Sequence, residues 1–133
     1  MRAIALLALL AACDFTSGGD CTSDGDCSGS EVCARNGECL AQSEVRFVRV
    51  SWTIRGQAAS ATSCAATPNF YILFATNDPG DVYGYEPVPC ASGVFTVDKL
   101  PTRYITVEMG VDGGFSQQAV FDSQSHATFD LTP

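Results

Sequence analysis

Positive charge is scarce in this chain of 133 residues, which has seven lysines and arginines against fifteen aspartates and glutamates. Residues 14–43 contain six acids and one arginine (net −5), and residues 44–133 contain nine acids and five bases (net −4). An acidic chain is repelled by phosphate backbones, and nucleic acid is therefore excluded as a partner.

Residues that commonly carry out catalysis are also scarce. The only histidine is His126, and the chain has no Gly-x-Ser-x-Gly elbow, P-loop, dinucleotide fingerprint or paired-histidine motif. A histidine needs a nucleophile or a metal within reach to act in catalysis, and we expect His126 to be a surface residue. The sequence predicts a protein that is not an enzyme and that holds no cofactor or metal.

No apolar run is long enough to cross a bilayer as a helix. The run at residues 3–12 has ten residues and would span about 15 Å as a helix, half of a hydrocarbon core of about 30 Å. It follows Arg2, and a positive charge before a short apolar run is typical of a secretory signal. Residues 1–12 are therefore predicted to be a signal peptide with a helical core.

Cys13 directly follows this run. Leu10-Ala11-Ala12-Cys13 resembles the lipobox of bacterial lipoproteins, in which two small residues precede the lipidated cysteine. The resemblance implies cleavage before Cys13, a lipid on Cys13, and anchoring in the inner or outer membrane of a bacterial cell envelope. The alternative is an ordinary secretory signal followed by an unmodified cysteine. Residues 14–20 are rich in Ser, Gly and Asp, so residues 13–20 are predicted to be a lipidated cysteine and flexible tether.

Four of the remaining cysteines lie at intervals of six residues within residues 21–40, namely Cys21, Cys27, Cys33 and Cys39. A segment this short cannot build a hydrophobic core, and two disulfides are predicted to hold it together. Of the three pairings we favour Cys21–Cys33 with Cys27–Cys39. A four-cysteine zinc site is the alternative, although structural zinc prefers cysteines two to four residues apart.

The segment from Asp20 to Leu40 resembles the small Dickkopf-type and EB-type cysteine-rich modules, on the pattern Asp26-Cys27, Gly29, Cys33, Gly37 and Cys39. Similar segments follow the lipid anchor in lipoproteins of myxobacteria. Residues 24–29 also resemble the opening of an EF-hand calcium loop. Its twelfth position, however, is Arg35 instead of the bidentate glutamate that calcium needs. We therefore expect these residues to be solvated turn residues.

The pattern changes to strand periodicity at residue 45. Val48, Val50, Trp52 and Ile54 alternate with polar residues, which predicts a half-buried strand. Turn-forming residues separate further candidate strands at residues 70–76, 82–88, 94–98, 103–111, 117–121 and 127–131. About seven short strands predict an antiparallel β-sandwich over residues 45–133. Cys64 and Cys90 are predicted to form a disulfide within it.

A family resemblance rests on residues 93–107, in which Gly93-Val94-Phe95 precedes Leu100-Pro101 and then Tyr104-Ile105-Thr106-Val107. This stretch resembles the carboxypeptidase regulatory-like and Cna-B-like domains, and residues 52–61 and 126–132 resemble their first and last strands. The resemblance implies a transthyretin-like (prealbumin-like) sandwich and a non-catalytic role as a stalk or interaction module. Arg103 departs from the pattern, which has glycine there, and Cys64 and Cys90 are additional.

Tyr83 and Tyr85 share one face of a candidate strand within a stretch rich in Gly and Pro. Tyrosine suits contact with proteins or sugars, and both residues are candidate ligand contacts; the alternative is that this face points into the sandwich. The leading hypothesis for function is a membrane-anchored structural or protein-interaction module at the cell envelope. The alternatives are a carbohydrate- or peptidoglycan-binding lipoprotein using these tyrosines, and an accessory or inhibitor subunit of an envelope enzyme.

Overall fold

The computed structural model describes residues 20–133; the predicted signal peptide, Cys13 and the tether before Asp20 lie outside them. The described chain consists of strands joined by turns and three single-turn 3-10 helices. The strands are β1 (Glu31–Cys33), β2 (Cys39–Ala41), β3 (Val45–Ile54), β4 (Gln57–Ala58), β5 (Asn69–Ala75), β6 (Val82–Pro89), β7 (Val94–Pro101), β8 (Thr106–Gly110), β9 (Ser116–Val120) and β10 (His126–Leu131).

The first sheet is organised around β3. Strand β7 pairs with it antiparallel from Val45↔Pro101 to Ser51↔Val94, and the short β4 pairs with its last two residues. On the other side β10 pairs with β3 in parallel, from His126↔Arg49 to Leu131↔Ile54. This parallel pair differs from the prediction of an antiparallel sandwich over residues 45–133. It forms because the connection from β9, which lies in the other sheet, crosses over before β10 joins β3.

The second sheet has the order β6-β5-β8-β9 and is antiparallel throughout. Side chains from both sheets meet in one apolar core, so the prediction of an all-β sandwich is confirmed. The core includes Val48, Val50, Trp52 and Ile54 of β3, Phe70, Ile72 and Phe74 of β5, Val107 and Met109 of β8, and Ala127, Phe129 and Leu131 of β10.

Trp52 links the core to the disulfide between Cys64 and Cys90. Its indole N–H donates a hydrogen bond of 2.8 Å to the carbonyl oxygen of Cys90, and its ring packs edge-to-face on Phe70 at 6.4 Å. Cys90 is bonded to Cys64, as predicted, and both cysteines are buried. The disulfide therefore fastens the loop before β5 to the turn before β7, directly beside the largest core side chain.

All seven strands predicted from the alternation pattern are present, and their bounds differ mainly around β7 and β8. Strand β7 continues to Pro101 instead of ending at residue 98, and β8 starts at Thr106 instead of at residue 103. The intervening residues form a turn in which the Tyr104 N–H donates to the Pro101 carbonyl. This turn carries Arg103.

Candidate functional site

The cysteine-rich segment, residues 21–40, forms a compact unit that we call the disulfide module. Its disulfides are Cys21–Cys33 and Cys27–Cys39, with Cα–Cα distances of 5.7 and 5.5 Å, so the favoured pairing is confirmed. Strands β1 and β2 form a hairpin in which Cys33 lies opposite Cys39. The two disulfides thus tie the hairpin to the preceding turn from both of its strands.

The sulfur atoms of Cys21, Cys27 and Cys39 lie within 4.8 Å of one another. Each of them is part of a disulfide, whereas zinc is held by thiolates. The cluster therefore reflects how closely the two bridges pack, and the oxidised module offers no thiolate for zinc.

The two aspartates of the EF-hand-like stretch bind groups of the protein itself. One oxygen of Asp26 accepts hydrogen bonds from the backbone N–H groups and hydroxyls of Thr22 and Ser23 at 2.8–3.2 Å. The N–H donors of Thr22 and Ser23 lower the pKa of Asp26 to about 2. Asp24 accepts the Cys33 N–H at 2.9 Å and also contacts a lysine of the sandwich. Both side chains are exposed turn residues, as expected.

The disulfide module is docked on the sandwich at a β-bulge in β7. Arg46 pairs with Leu100 and Val48 pairs with Val97, so β7 has one residue more than β3 over this interval. The bulge brings Lys99 to a φ of 50°, a left-handed conformation that non-glycine residues seldom adopt. There the carbonyl oxygen of Lys99 accepts a hydrogen bond of 3.1 Å from the backbone N–H of Arg35 in the module.

Side chains at the bulge form two ion pairs with the module. Lys99 Nζ lies 2.7 Å from each carboxylate oxygen of Asp24, and the Arg35 guanidinium lies 2.6 Å from Asp98. The two pairs have opposite polarity, because the module supplies the acid in one and the base in the other. This alternation fixes the register of the docked module, since a shifted module would place like charges together.

Arg103 makes the third link. Its Nη1 and Nη2 donate to the two carboxylate oxygens of Glu38 at 2.7 and 2.9 Å, its Nε donates to Asp81 at 3.0 Å, and it lies over the Tyr104 ring. A planar guanidinium is suited to such a two-point contact with a carboxylate. The residue that departs from the carboxypeptidase regulatory-like pattern is thus one of those that join the module to the sandwich. We call these three links the junction.

The junction lowers the pKa of its carboxylates. The hydrogen bond from Lys99, followed by that from the Cys33 N–H, lowers the pKa of Asp24, and Arg103 lowers that of Glu38. Burial alone would raise the pKa of Asp81, but the Tyr104 hydroxyl and Arg103 outweigh it and the net direction is down. Ionised carboxylates therefore favour the docked module.

We expect Arg103→Gln to loosen the docking of the module while leaving the sandwich folded. The ion pairs are about 40% exposed and therefore screened, so the expected loss is only about 0.5–1 kcal/mol of unfolding free energy. Amide hydrogen exchange should show faster exchange at Arg35, whose N–H donates to the Lys99 carbonyl, and unchanged protection in β5 and β8. Arg49→Gln is the matched control, since Arg49 forms no ion pair among residues 20–133.

The same junction should open in acid. Asp24 and Glu38 have folded pKa values below their ordinary values of 3.8 and 4.5, so their ion pairs add stability above those values. That contribution is lost as the pH falls through the folded pKa values, so module protection should drop between about pH 5 and about pH 2. After correction for intrinsic exchange, a ratio of the exchange rates of Arg35 and β8 that does not change with pH would count against this account.

Tyr83 and Tyr85 lie on the inner face of β6, at the open edge where β6 and β7 approach each other. Tyr85 packs edge-to-face on Phe74 and lies 4.9 Å from the ring of Phe95, and the Tyr83 hydroxyl donates to the Tyr85 hydroxyl at 3.3 Å. Burial raises the pKa of Tyr85. Both rings are half-buried and pack at the margin of the core. This agrees with the alternative prediction that this face of β6 points into the sandwich.

A cleft of about 380 Å³ lies beside these tyrosines and is lined also by Phe95, Arg35 and Asp98. Arg35 and Asp98 form an ion pair with each other in the junction, and the cleft lining also includes the exposed Thr96. A ligand contact at Tyr83 and Tyr85 stays a prediction.

His126 is exposed at the start of β10, and its backbone N–H donates to Asp122.

Within residues 20–133 the structure contains no helix of the length and hydrophobicity needed to span a bilayer. Cys13 lies outside the described residues, and its lipidation stays a prediction. Comparison of the chain with protein-family models, with curated proteins and with solved structures found no match. The resemblances to cysteine-rich modules and to carboxypeptidase regulatory-like domains therefore also stay predictions.

Proposed function

We propose that this chain is a non-catalytic lipoprotein of the bacterial cell envelope that presents its β-sandwich as an interaction module. The lipobox-like Leu10–Cys13 supplies the anchor, and the seven residues between Cys13 and Cys21 reach at most about 25 Å. The observation that carries the proposal is the junction. Because ion pairs and a backbone hydrogen bond join the disulfide module to the sandwich, the module and the sandwich follow the short tether as one body.

The composition of the interior supports the non-catalytic part of the proposal. Among residues 20–133 the fully buried side chains are apolar or aromatic, and no charged side chain is buried. Catalytic acids and bases are commonly set apart by burial and by strongly shifted pKa values in a cleft. The carboxylate shifts here instead arise from ion pairs and turn hydrogen bonds at the surface.

Mass spectrometry of the protein purified from bacterial membranes tests the anchor. We expect a mature chain that begins at Cys13 and carries the added mass of a diacylglycerol and an acyl group. Cys13→Ser should remove that mass and shift essentially all of the protein out of the membrane fraction, because several acyl chains are needed for stable anchoring. Ser17→Ala, in the same tether, is the control and should remain lipidated.

An unmodified Cys13, or a mature chain that starts at another residue, would overturn the anchor. The predicted polysaccharide-binding and enzyme-accessory alternatives both remain compatible with a lipid anchor. Binding of the protein to purified cell wall would support the first alternative. Co-purification with an envelope enzyme would support the second.

A further inference from the structure

A second cleft lies on the outer face of the second sheet, away from the junction. It measures about 570 Å³ and is bounded by the middle of β6, by β5, and by the loop between β8 and β9. Its lining includes Tyr71 and Leu73 of β5, Gly84 and Glu86 of β6, and Asp112 of the loop. We call it the outer cleft.

Tyr71 forms an aromatic floor in the outer cleft. It pairs with Gly110 of β8, and a Cβ at Gly110 would lie only 2.7 Å from the Tyr71 hydroxyl oxygen. The phenol ring therefore lies sideways over this glycine instead of standing up from the sheet. Its hydroxyl donates a hydrogen bond of 2.6 Å to Glu108, which holds the ring in place. Tyr71 held in this way is part of the lining of the cleft.

Leu73 supplies an apolar surface beside the ring. It pairs with Gly84, where a Cβ would lie 2.4 Å from the Leu73 side chain. Any larger residue at position 84 would push this side chain away, so the glycine is what allows Leu73 to lie along the sheet. The floor of the cleft is thus a flat apolar and aromatic strip.

The rim of the outer cleft is negative. Glu86 and Asp112 are exposed, and within residues 20–133 neither carboxylate takes part in an ion pair or a side-chain hydrogen bond. No lysine or arginine lines the cleft. Glu108 adds a third negative charge below the rim, with its oxygens bound to Tyr71 and Gln118. An anionic ligand is therefore repelled, and a cation is attracted.

We propose that the outer cleft binds an arginine or lysine side chain of a partner polypeptide. The cationic head would lie over the Tyr71 ring between Glu86 and Asp112, where the ring face and both carboxylates attract it. The aliphatic stem of the same side chain would lie on Leu73, as long basic side chains do on apolar surfaces. This match of stem and head favours a basic side chain over a bare metal ion. The inference rests on the proposed function, for which it names the partner chemistry.

The test is a titration of the full chain in neutral detergent, followed by amide NMR, with the peptide acetyl-Gly-Gly-Arg-Gly-Gly-amide. We expect saturable shifts at Tyr71, Leu73 and Gly113, with a dissociation constant of about 1 mM for so small a ligand. The same peptide with citrulline in place of arginine has the same shape without the charge. It should bind at least about ten-fold more weakly, and added salt should weaken the arginine peptide.

Two double variants with equal charge change locate the binding. Glu86→Gln with Asp112→Asn should weaken the arginine peptide by about ten-fold or more, whereas Asp20→Asn with Glu31→Gln, in the module region, should not. Tyr71→Leu, with β-sheet content checked by circular dichroism, should also weaken it. Equal binding of the citrulline peptide, equal loss in both double variants, or shifts that map elsewhere would overturn the proposal. A lipidated chain that fails to bind would reject the outer cleft and leave the anchor in place.

Discussion

Trp52→Ala is expected to lower the free energy of unfolding by about 3–5 kcal/mol, the range for removing a large buried aromatic side chain. Trp52 is 3% exposed, and its ring fills the space between β3 and Phe70. The substitution also leaves the Cys90 carbonyl without its indole donor, so a cavity and an unsatisfied acceptor arise together. Urea unfolding followed by tyrosine fluorescence and circular dichroism measures the change.

Phe47→Ala is the control for this prediction. Phe47 lies on the same strand but is 56% exposed, and its loss should change the unfolding free energy by about 0.5 kcal/mol or less. Trp52→Phe should fall between the two, because it restores most of the bulk but not the N–H donor. Similar costs for Trp52→Ala and Phe47→Ala would contradict the assignment of Trp52 to the centre of the core.

Removal of the Cys64–Cys90 disulfide by alanine at both positions should lower the unfolding free energy by about 3.5 kcal/mol. The two cysteines are 26 residues apart, and the chain-entropy model gives this value of about 3.5 kcal/mol for a loop of that size. Because a small domain has about 5–15 kcal/mol of net stability, this is a large share of it, and the variant should unfold at a clearly lower temperature. Thermal unfolding at neutral pH measures the shift.

The matched control removes Cys27–Cys39, which closes a loop of 12 residues in the disulfide module. We expect this second pair of alanines to loosen the module and to leave the main unfolding transition of the sandwich nearly unchanged. An equal loss of sandwich stability in both variants would mean that the module and sandwich unfold as one unit. Amide exchange of β5 and β8 separates these outcomes.

The sequence was sufficient to predict the sandwich because its strands have one buried face. Val48, Val50, Trp52 and Ile54 alternate with polar residues, and all four are buried. The disulfides could be predicted equally well, since six cysteines without a metal motif, in a chain predicted to be exported, have few uses other than pairing. Turn residues indicated where each strand ends. They did not indicate the partner of β10, because its parallel pairing with β3 depends on which sheet the chain joins after β9.

The junction and the outer cleft could not be predicted in this way. Arg35 and Asp98 are 63 residues apart, and Lys99 and Asp24 are 75 apart; no local pattern relates them. The bulge that orients Lys99 is one extra residue, and it shows only as a break in the period of two, because Val97 and Leu100 are three positions apart and both are buried. The departure at Arg103 was the one available signal, because an arginine in place of a turn glycine requires a reason. At Tyr83 and Tyr85 the same aromatic pattern fitted either a surface or a core margin, and the structure places both rings at the margin.

The docking of the module has a consequence for how copies of this protein behave when crowded. Strand β7 is the outermost strand along its side of the first sheet, and a free outermost strand offers backbone groups to any neighbouring chain. Here the Arg35 N–H already donates a hydrogen bond to the Lys99 carbonyl oxygen. The bulge also interrupts the regular strand backbone with which a foreign strand would pair. The docked disulfide module therefore covers part of the β7 edge, and a foreign strand could pair with this part of β7 only after the module is displaced.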